Sequence, residues 1–281
     1  MPRESNEREH FVERRVWFLW LQGLHDAPEV VRRCYSTWIT RNPTWEVVPL
    51  DNENLPLWVD DTVLQLASSL TPAAYSDIIR LDLLARRGGV WADATCWCNS
   101  SLESWLPEYT DSGFFAFRNP GRDRLLSSWF LASRKDNPLV VALRNALLSY
   151  WSTHDFRSGL FWSACSRLLA LAISRDTIHT KYWFSSLIQD RIRVSPYYAV
   201  HYIFTGLVTN DAQAADIWSR TKVFDARLPH QLQEFGLRSP LTLAARAEID
   251  SPNSPVYKLT HKGIGPNLPN NSVLQYLYSQ G

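Results

Sequence analysis

Short apolar runs alternate along this chain with longer segments in which apolar residues recur at helical spacing. Residues 16–21 (VWFLWL) form a continuous apolar run that ends at Gln22-Gly23, which predicts a buried strand followed by a loop. Further strands are predicted at residues 45–50, 90–94, 114–117 and 129–132. Helices are predicted at about residues 28–40, 60–69, 72–87, 139–151, 161–174, 197–208 and 211–220, with Asp51 capping one more short helix. Prolines recur from Pro229 onward and predict loops there.

This alternation of strands and helices predicts an α/β fold. The central sheet is expected to be mostly parallel and flanked by helices, and the C-terminal half is expected to be helical. We expect one domain over residues 1–281, with a polar tail at 1–14 and a core at 16–118. A helical region at 119–262 and a second tail at 263–281 complete the predicted organisation.

The chemistry is concentrated between Ser76 and Thr95, in the pattern S-D-x-x-R followed after seven residues by G-G-V-W-A-D-A-T. Asp77 and Arg80 are three positions apart on a predicted helix, so they share a face. Asp93 lies where the next predicted strand ends. Because ligands of open parallel sheets bind outside the carboxyl ends of strands, these three residues form a candidate catalytic site.

The same pattern resembles the glycosyltransferases of the capsular polysaccharide synthesis family. That family is allied to yeast-type initiating mannosyltransferases and to the glucosyltransferase domains of large clostridial toxins. Four flanking segments agree with it, so the resemblance covers roughly residues 16–262. The segments are 18–23 (FLWLQG), 42–47 (NPTWEV), 201–204 (HYIF) and 258–262 (KLTHK).

The resemblance implies a GT-A-type, Rossmann-like fold and a retaining transferase that uses a UDP- or GDP-sugar. It implies that Trp20 stacks on the nucleobase, that Asp77 and Arg80 hold hydroxyls of the donor sugar, and that Asp93 contacts the ribose or a metal. The expected acceptor is a glycan or a lipid-linked glycan. The full donor-binding set is Leu19, Trp20, Asp77, Arg80, Asp93, Thr95, Lys258 and Lys262.

The leaving group sets a further requirement on the site. A nucleoside diphosphate gains negative charge as the glycosidic bond breaks, so it needs a divalent ion or Lys and Arg side chains. Where many GT-A enzymes have a second aspartate, this chain has Thr95. We expect manganese or magnesium at Asp93, completed by His261, donor phosphates and water. In the alternative, Arg80, Lys258 and Lys262 supply the charge without a metal.

Simpler interpretations compete with each of these roles. Asp77 and Arg80 can form a surface ion pair, Trp20 can belong to the core, and His261 can be a loop residue. A toxin-like enzyme that modifies protein and a non-catalytic carbohydrate-binding protein are alternatives at the level of function. A glycoside hydrolase requires two facing carboxylates, and the sequence contains no distinctive pair.

Composition narrows the class of protein only a little. The formal net charge of +1 gives no indication of nucleic-acid binding. The four cysteines are few and irregularly spaced, which favours a reducing compartment. Residues 1–15 show no signal-peptide pattern, and the apolar run at 16–21 is far too short to cross a bilayer. We therefore expect a cytoplasmic protein, with peripheral membrane contact as a route to a lipid-linked acceptor.

Overall fold

A computed structural model describes residues 12–265 and 267–280 of the 281. The polar tail expected at residues 1–14 therefore lies almost entirely outside the described residues. Seven strands occur in the described part, and five of them coincide with the predicted ones. They are β1 (Arg15–Leu19), β2 (Glu46–Leu50), β3 (Gly89–Ala92), β4 (Cys96–Cys98), β5 (Phe114–Gly121), β6 (Arg124–Ser133) and β7 (Val256–Lys258).

The central sheet has five strands in the order β2-β1-β3-β6-β5. Strand β1 is parallel to both β2 and β3, whereas β6 is antiparallel to both β3 and β5. Four of the five strands consequently point the same way, and the predicted α/β class with a mostly parallel sheet is confirmed. The exception is β6, which returns from β5 as a hairpin.

Helices cover both faces of this sheet. Those predicted upstream of residue 221 are present with small shifts of their ends, except that the helix predicted at about 60–69 ends at Leu64 and the short helix predicted after Asp51 is a 3-10 turn at Leu55–Leu57. The α-helices are α1 (Glu29–Arg41), α2 (Asp61–Leu64), α3 (Pro72–Arg87), α4 (Leu106–Tyr109), α5 (Pro138–Thr153), α6 (Leu160–Ile173), α7 (Ala199–Asn210), α8 (Ala212–Arg220), α9 (Arg227–Phe235), α10 (Leu243–Asp250) and α11 (Val273–Tyr278). Single-turn and 3-10 segments lie at Leu24–Asp26, Leu55–Leu57, Leu102–Ser104 and His179–Phe184, and a π-helical turn lies at Leu187–Ile192.

Helix α3 and strand β3 are joined by two glycines with no intervening loop. Thr71 caps the helix by accepting a hydrogen bond from the Ala74 amide, and Pro72 occupies its first turn. Gly88 and Gly89 have φ of 66° and 97°, and a Cβ on Gly89 would lie 2.7 Å from the Arg15 carbonyl oxygen. Only glycine meets both demands. This tight turn fixes how α3 sits relative to Asp93.

The sheet is buried on both faces, as its continuous apolar strands predict. Val16 and Phe18 of β1 join the core on one face, against α1, β4 and the C-terminal helices. Trp17 and Leu19 point to the opposite face, against α3, α5 and α7. Because alternate residues of a strand face opposite sides, one short run supplies two cores.

The loops predicted from Pro229 onward are wrong, and so is the tail predicted at residues 263–281. Helices α9, α10 and α11 and strand β7 lie in this region. Pro229 stands in the first turn of α9, where proline is compatible with a helix. Val273, Leu274 and Leu277 of α11 are buried in the core, so residues 273–278 are part of the fold.

The expected boundary between residues 118 and 119 also needs correction. It falls inside β5, because the hairpin of β5 and β6 extends to Ser133 before the helical region begins. None of the helices in the described ranges combines the length and apolar character needed to cross a bilayer.

Candidate active site

A cavity of about 950 Å³ opens where β1 and β3 end, beside the N-terminal half of α3. Its volume lies near the top of the roughly 300–1,000 Å³ range of small-molecule sites. Every residue proposed from the sequence for the site lines this one cavity. They are Leu19, Trp20, Asp77, Arg80, Asp93, Thr95, Lys258, His261 and Lys262.

Arg80 is the centre of the polar network in this cavity. It is only 5% exposed, and its guanidinium lies 3.0 Å from Asp77 Oδ1 and 3.2 Å from Asp93 Oδ1. It also donates a hydrogen bond of 2.7 Å to the backbone carbonyl of Ser128 in β6. Because Arg80 is buried between two carboxylates, it does not form the exposed surface ion pair with Asp77 that was the simpler interpretation of the sequence.

Lys258 reaches the same cluster from a strand 165 residues further along the chain. Strands β4 and β7 pair antiparallel, with Lys258 opposite Cys96, and this pairing brings the lysine next to Asp93. Its Nζ lies 3.0 Å from Asp93 Oδ2 and donates to Thr95 Oγ1 at 2.8 Å. Thr95 therefore binds the lysine, and Lys258 completes the network around Asp93.

Burial and neighbouring charges shift the pKa values of Asp77 and Asp93 in opposite directions. Burial raises the pKa of Asp77 to about 6, although Arg80 opposes the shift. Burial also disfavours the charged form of Asp93, but Lys258, Arg80 and a hydrogen bond from Trp91 outweigh it and lower the pKa of Asp93. Despite burial, Asp93 raises the pKa of Lys258. Asp93 and Lys258 are therefore ionised together at neutral pH.

The residues around Asp93 do not fit a divalent metal centre. One carboxylate oxygen of Asp93 accepts a hydrogen bond from Trp91 and lies beside Arg80, and the other is bound by Lys258. Across residues 12–265 and 267–280, no three His, Cys, Asp or Glu side chains come together in a way that could hold an ion. Hard divalent cations need several oxygen ligands. The expected manganese or magnesium remains a prediction.

Trp20 and His261 form one wall of the cavity. Trp20 directly follows β1, is half-buried, and its ring lies 5.4 Å from the His261 ring in a T-shaped contact. No hydrogen bond or ion pair joins His261 to Asp93 within the part of the chain that the structure describes. Lys262, next to it, is exposed at the rim. The indole is thus available to a flat ligand, while His261 lies with Trp20.

Several lining residues are not among those proposed for the site from the sequence, although His201 stands in the segment 201–204 that carries part of the resemblance. Arg124 and Trp129 belong to β6, and neither stands in a motif. His201 and His230 also line the cavity, and burial lowers their pKa values to about 3 and about 4, so both are neutral near pH 7. The charged lining residues are five cations (Arg80, Arg124, Arg227, Lys258 and Lys262) against three carboxylates (Asp77, Asp93 and Glu234). An excess of positive charge favours an anionic ligand.

Comparison with known families agrees with the resemblance found in the sequence. The sequence model described as "Capsular polysaccharide synthesis protein" matches residues 2–183, well over half of the chain. The chain therefore belongs to the capsular polysaccharide synthesis protein family. The match includes Trp20, Asp77, Arg80, Asp93 and Thr95 and ends before Lys258.

Two curated relatives carry glycosyltransferase names. O-glycosyltransferase braB of Annulohypoxylon truncatum is 28% identical over 162 residues, covering 50% of this chain and 38% of that protein. Glycosyltransferase afumC of Aspergillus fumigatus is 28% identical over 163 residues, covering 49% of this chain and 40% of that protein. The chain thus matches about two fifths of the length of these relatives.

Solved structures with a similar arrangement include two glycosyltransferase domains of toxins. PaToxG glycosyltransferase superposes with a TM-score of 0.41 and 12% identity, over 77% of this chain and 82% of that one. The UDP-bound glycosyltransferase domain of the YGT toxin superposes with a TM-score of 0.44 and 10% identity, over 77% and 80%. Both TM-scores lie below 0.5, so neither superposition supports an argument about substrate or mechanism.

Proposed function

We propose that this chain is a retaining glycosyltransferase that transfers a sugar from a UDP- or GDP-sugar to a glycan or lipid-linked glycan. The observation that carries the proposal is the network of Arg80, Asp93 and Lys258 in a cavity with an excess of positive charge. A nucleotide sugar presents a diphosphate to such a cavity and hydroxyl groups to its carboxylates. The family membership and the names of both curated relatives support the same activity.

Each part of the donor has a counterpart in the cavity. Trp20 offers an aromatic face to the base, and Asp93 offers a carboxylate to the ribose. Asp77, held by Arg80, accepts hydrogen bonds from the sugar hydroxyls and fixes the anomeric carbon. Lys258 supplies positive charge to the departing diphosphate, with Lys262 at the rim. In this scheme the positive charge comes from lysine and arginine side chains, and manganese or magnesium at Asp93 is the other proposal for its source.

The compartment proposed for this activity is the cytoplasm. All four cysteines are free thiols, and Cys34, Cys96 and Cys98 are buried. Burial raises the pKa values of Cys96 and Cys98 to about 12, so these two thiols stay protonated and unreactive. Buried thiols of this kind need no oxidising environment to fold.

Titration of nucleotide sugars into the protein, followed by calorimetry, tests the donor half of the proposal. We expect one of the UDP- or GDP-sugars to bind, and Trp20→Ala to weaken that binding about tenfold or more. The reason is that stacking of a base on an aromatic ring contributes about 1–3 kcal/mol. Trp20→Phe keeps an aromatic face and should retain most of the affinity.

The matched control for this titration is Trp45→Ala, because Trp45 is also half-buried against the same core but does not line the cavity. Donor affinity within twofold of the parent for a folded Trp20→Ala variant would make Trp20 a packing residue only. If no nucleotide sugar binds the parent protein, the donor class itself is wrong.

The activity should fall in mild acid with a midpoint near pH 6. Asp77 has a pKa raised to about 6, and protonation removes the charge that pairs with Arg80. The active carboxylate is present above this pH and lost below it, so the logarithm of kcat/KM should decline as pH falls through about 6. The measurement is kcat/KM from pH 5 to 8, with thermal melts at each pH to exclude unfolding.

His261 provides the control for this assignment, because it is a titratable group in the same cavity and burial, Lys262 and Lys258 lower its pKa. A His261→Asn variant should keep the acid decline if Asp77 is the source. A decline that disappears in His261→Asn, or a profile that is flat from pH 5 to 8 in the parent, would contradict the role of Asp77.

A further inference from the structure

One side of helix α6 is apolar and exposed. Seven of the thirteen large apolar side chains that stand exposed on the described part of the protein lie between residues 160 and 187. Leu168 and Leu171 are 68% and 77% exposed on the same face of the helix. We call this group the α6 surface. It consists of Leu160, Phe161, Leu168, Leu171, Ile178, Tyr182 and Leu187.

The opposite side of α6 is also apolar and holds the helix on the protein. Trp162, Leu169 and Ile173 pack against a small core that contains Trp183 and Tyr202. A helix that is apolar all round is normally enclosed, and a soluble surface helix is polar on its outer side. The outer side of α6 therefore lacks a covering among the described residues, and large exposed apolar patches mark interaction sites.

The charge around this surface identifies the kind of partner. Residues 154–195 contain six arginine or lysine side chains against three aspartates, a net charge of +3 in a chain whose formal net charge is +1. Five of these cations are exposed and have no carboxylate partner among the described residues: Arg157, Arg167, Arg175, Lys181 and Arg191. By contrast, Asp155 is paired with Arg193 and Asp176 with His179.

We propose that the α6 surface binds an anionic phospholipid membrane. Its leucine and phenylalanine side chains enter the boundary between headgroups and acyl chains, and the surrounding arginines contact lipid phosphates. Trp162, with Arg157 over its ring, and Tyr182 belong to the side-chain types that concentrate at membrane interfaces. The helix lies on the membrane, since its 14 residues are too few to span it.

This orientation brings the cavity close to the lipid. Ser166 of α6 donates a hydrogen bond of 2.7 Å to the carbonyl of Ser195, two residues before Tyr197. Tyr197 is exposed and lines the cavity. If the proposed transferase activity holds, an acceptor carried on a membrane lipid would meet the site without leaving the bilayer. The membrane contact itself does not depend on that activity.

Sedimentation with vesicles of phosphatidylcholine and phosphatidylglycerol tests the contact with the full chain and without any substrate. We expect the protein to sediment with vesicles that contain phosphatidylglycerol and much less with pure phosphatidylcholine. Leu168→Glu/Leu171→Glu should reduce the bound fraction about tenfold or more. Arg167→Glu/Arg175→Glu, and added salt, should each weaken binding as well.

The control is Leu57→Glu/Leu243→Glu, because these leucines are 74% and 88% exposed elsewhere on the protein. It should bind vesicles like the parent. The proposal is overturned if the parent does not bind anionic vesicles or if the control loses binding to the same extent. It is also overturned if the parent is a dimer in lipid-free solution that Leu168→Glu/Leu171→Glu converts to monomer, because a second copy then covers the surface. If Leu168→Glu/Leu171→Glu does not fold, vesicle binding of Arg167→Glu/Arg175→Glu and the dependence of binding on salt test the proposal instead.

Discussion

Replacing Lys258 with alanine is expected to lower kcat/KM about 10²–10³-fold, the loss found when one preorganised group that stabilises developing negative charge is removed. Lys258 is the only cation in contact with both Asp93 and Thr95 within residues 12–265 and 267–280. It is held where the diphosphate is proposed to lie. Lys258→Arg keeps the charge and should recover part of the activity.

The measurement is steady-state transfer with the donor that the titrations identify, together with the melting temperature of each variant. Lys222→Ala is the matched control, because Lys222 pairs with Glu108 and Asp111, does not line the cavity and should leave kcat/KM unchanged when replaced. Asp93→Asn should also abolish most turnover. A folded Lys258→Ala or Asp93→Asn variant with full activity would remove that residue from the mechanism.

Turnover in excess chelator distinguishes a mechanism in which Lys258 supplies the positive charge from one in which the expected metal ion supplies it. If Lys258 supplies the positive charge, metal-free enzyme in excess chelator should retain its turnover. If turnover is lost in chelator and restored by manganese, the metal expectation holds and Asp93 must exchange Lys258 for the ion. The two mechanisms predict opposite results, so one preparation of metal-free enzyme distinguishes them.

Substituting Asp77 with asparagine should lower kcat by about two orders of magnitude or more and leave the binding of the free nucleoside diphosphate within about twofold. Asp77 is proposed to position the sugar, and a misplaced anomeric carbon loses the near-attack geometry. Asparagine keeps the shape but not the charge that pairs with Arg80. The effect should therefore appear in kcat, not in nucleotide affinity.

Calorimetry with the free nucleoside diphosphate measures nucleotide affinity, and turnover with the full donor measures kcat. Asp136→Asn serves as the control, because Asp136 is exposed and lies outside the cavity. Equal losses of nucleotide affinity and turnover in Asp77→Asn would mean that the residue anchors the nucleotide, and the proposed division of roles would then be wrong.

Local features of the sequence predicted much of the fold. The apolar run at residues 16–21, the Thr71-Pro72 start of α3 and its Gly88-Gly89 end are short-range signals, and each element forms where expected. The same local signals placed Asp77, Arg80 and Asp93 on one cavity. The relative positions of these three residues depend only on one helix, one turn and one strand that are consecutive in the chain.

Features that depend on distant pairing could not be predicted in this way. The antiparallel insertion of β6 brings Arg124 and Trp129 to the cavity, and no motif in the sequence marks that pairing. The contact of Lys258 with Asp93 depends on the register of β4 against β7. Proline content was misleading after residue 229, because a proline in the first turn of a helix does not interrupt it.

The pairing of β4 with β7 also determines when the site comes into existence during synthesis. Asp93 is made 165 residues before Lys258, so a growing chain has a carboxylate cluster around Arg80 long before its second cation arrives. Until β7 docks, the cavity lacks Lys258 and has no excess of positive charge, so a diphosphate should bind it less tightly. A ligand that binds only the completed site stabilises that last docking step by mass action. If the proposed nucleotide-sugar donor is that ligand, its supply in the cell would influence how much of the newly translated protein reaches its finished state.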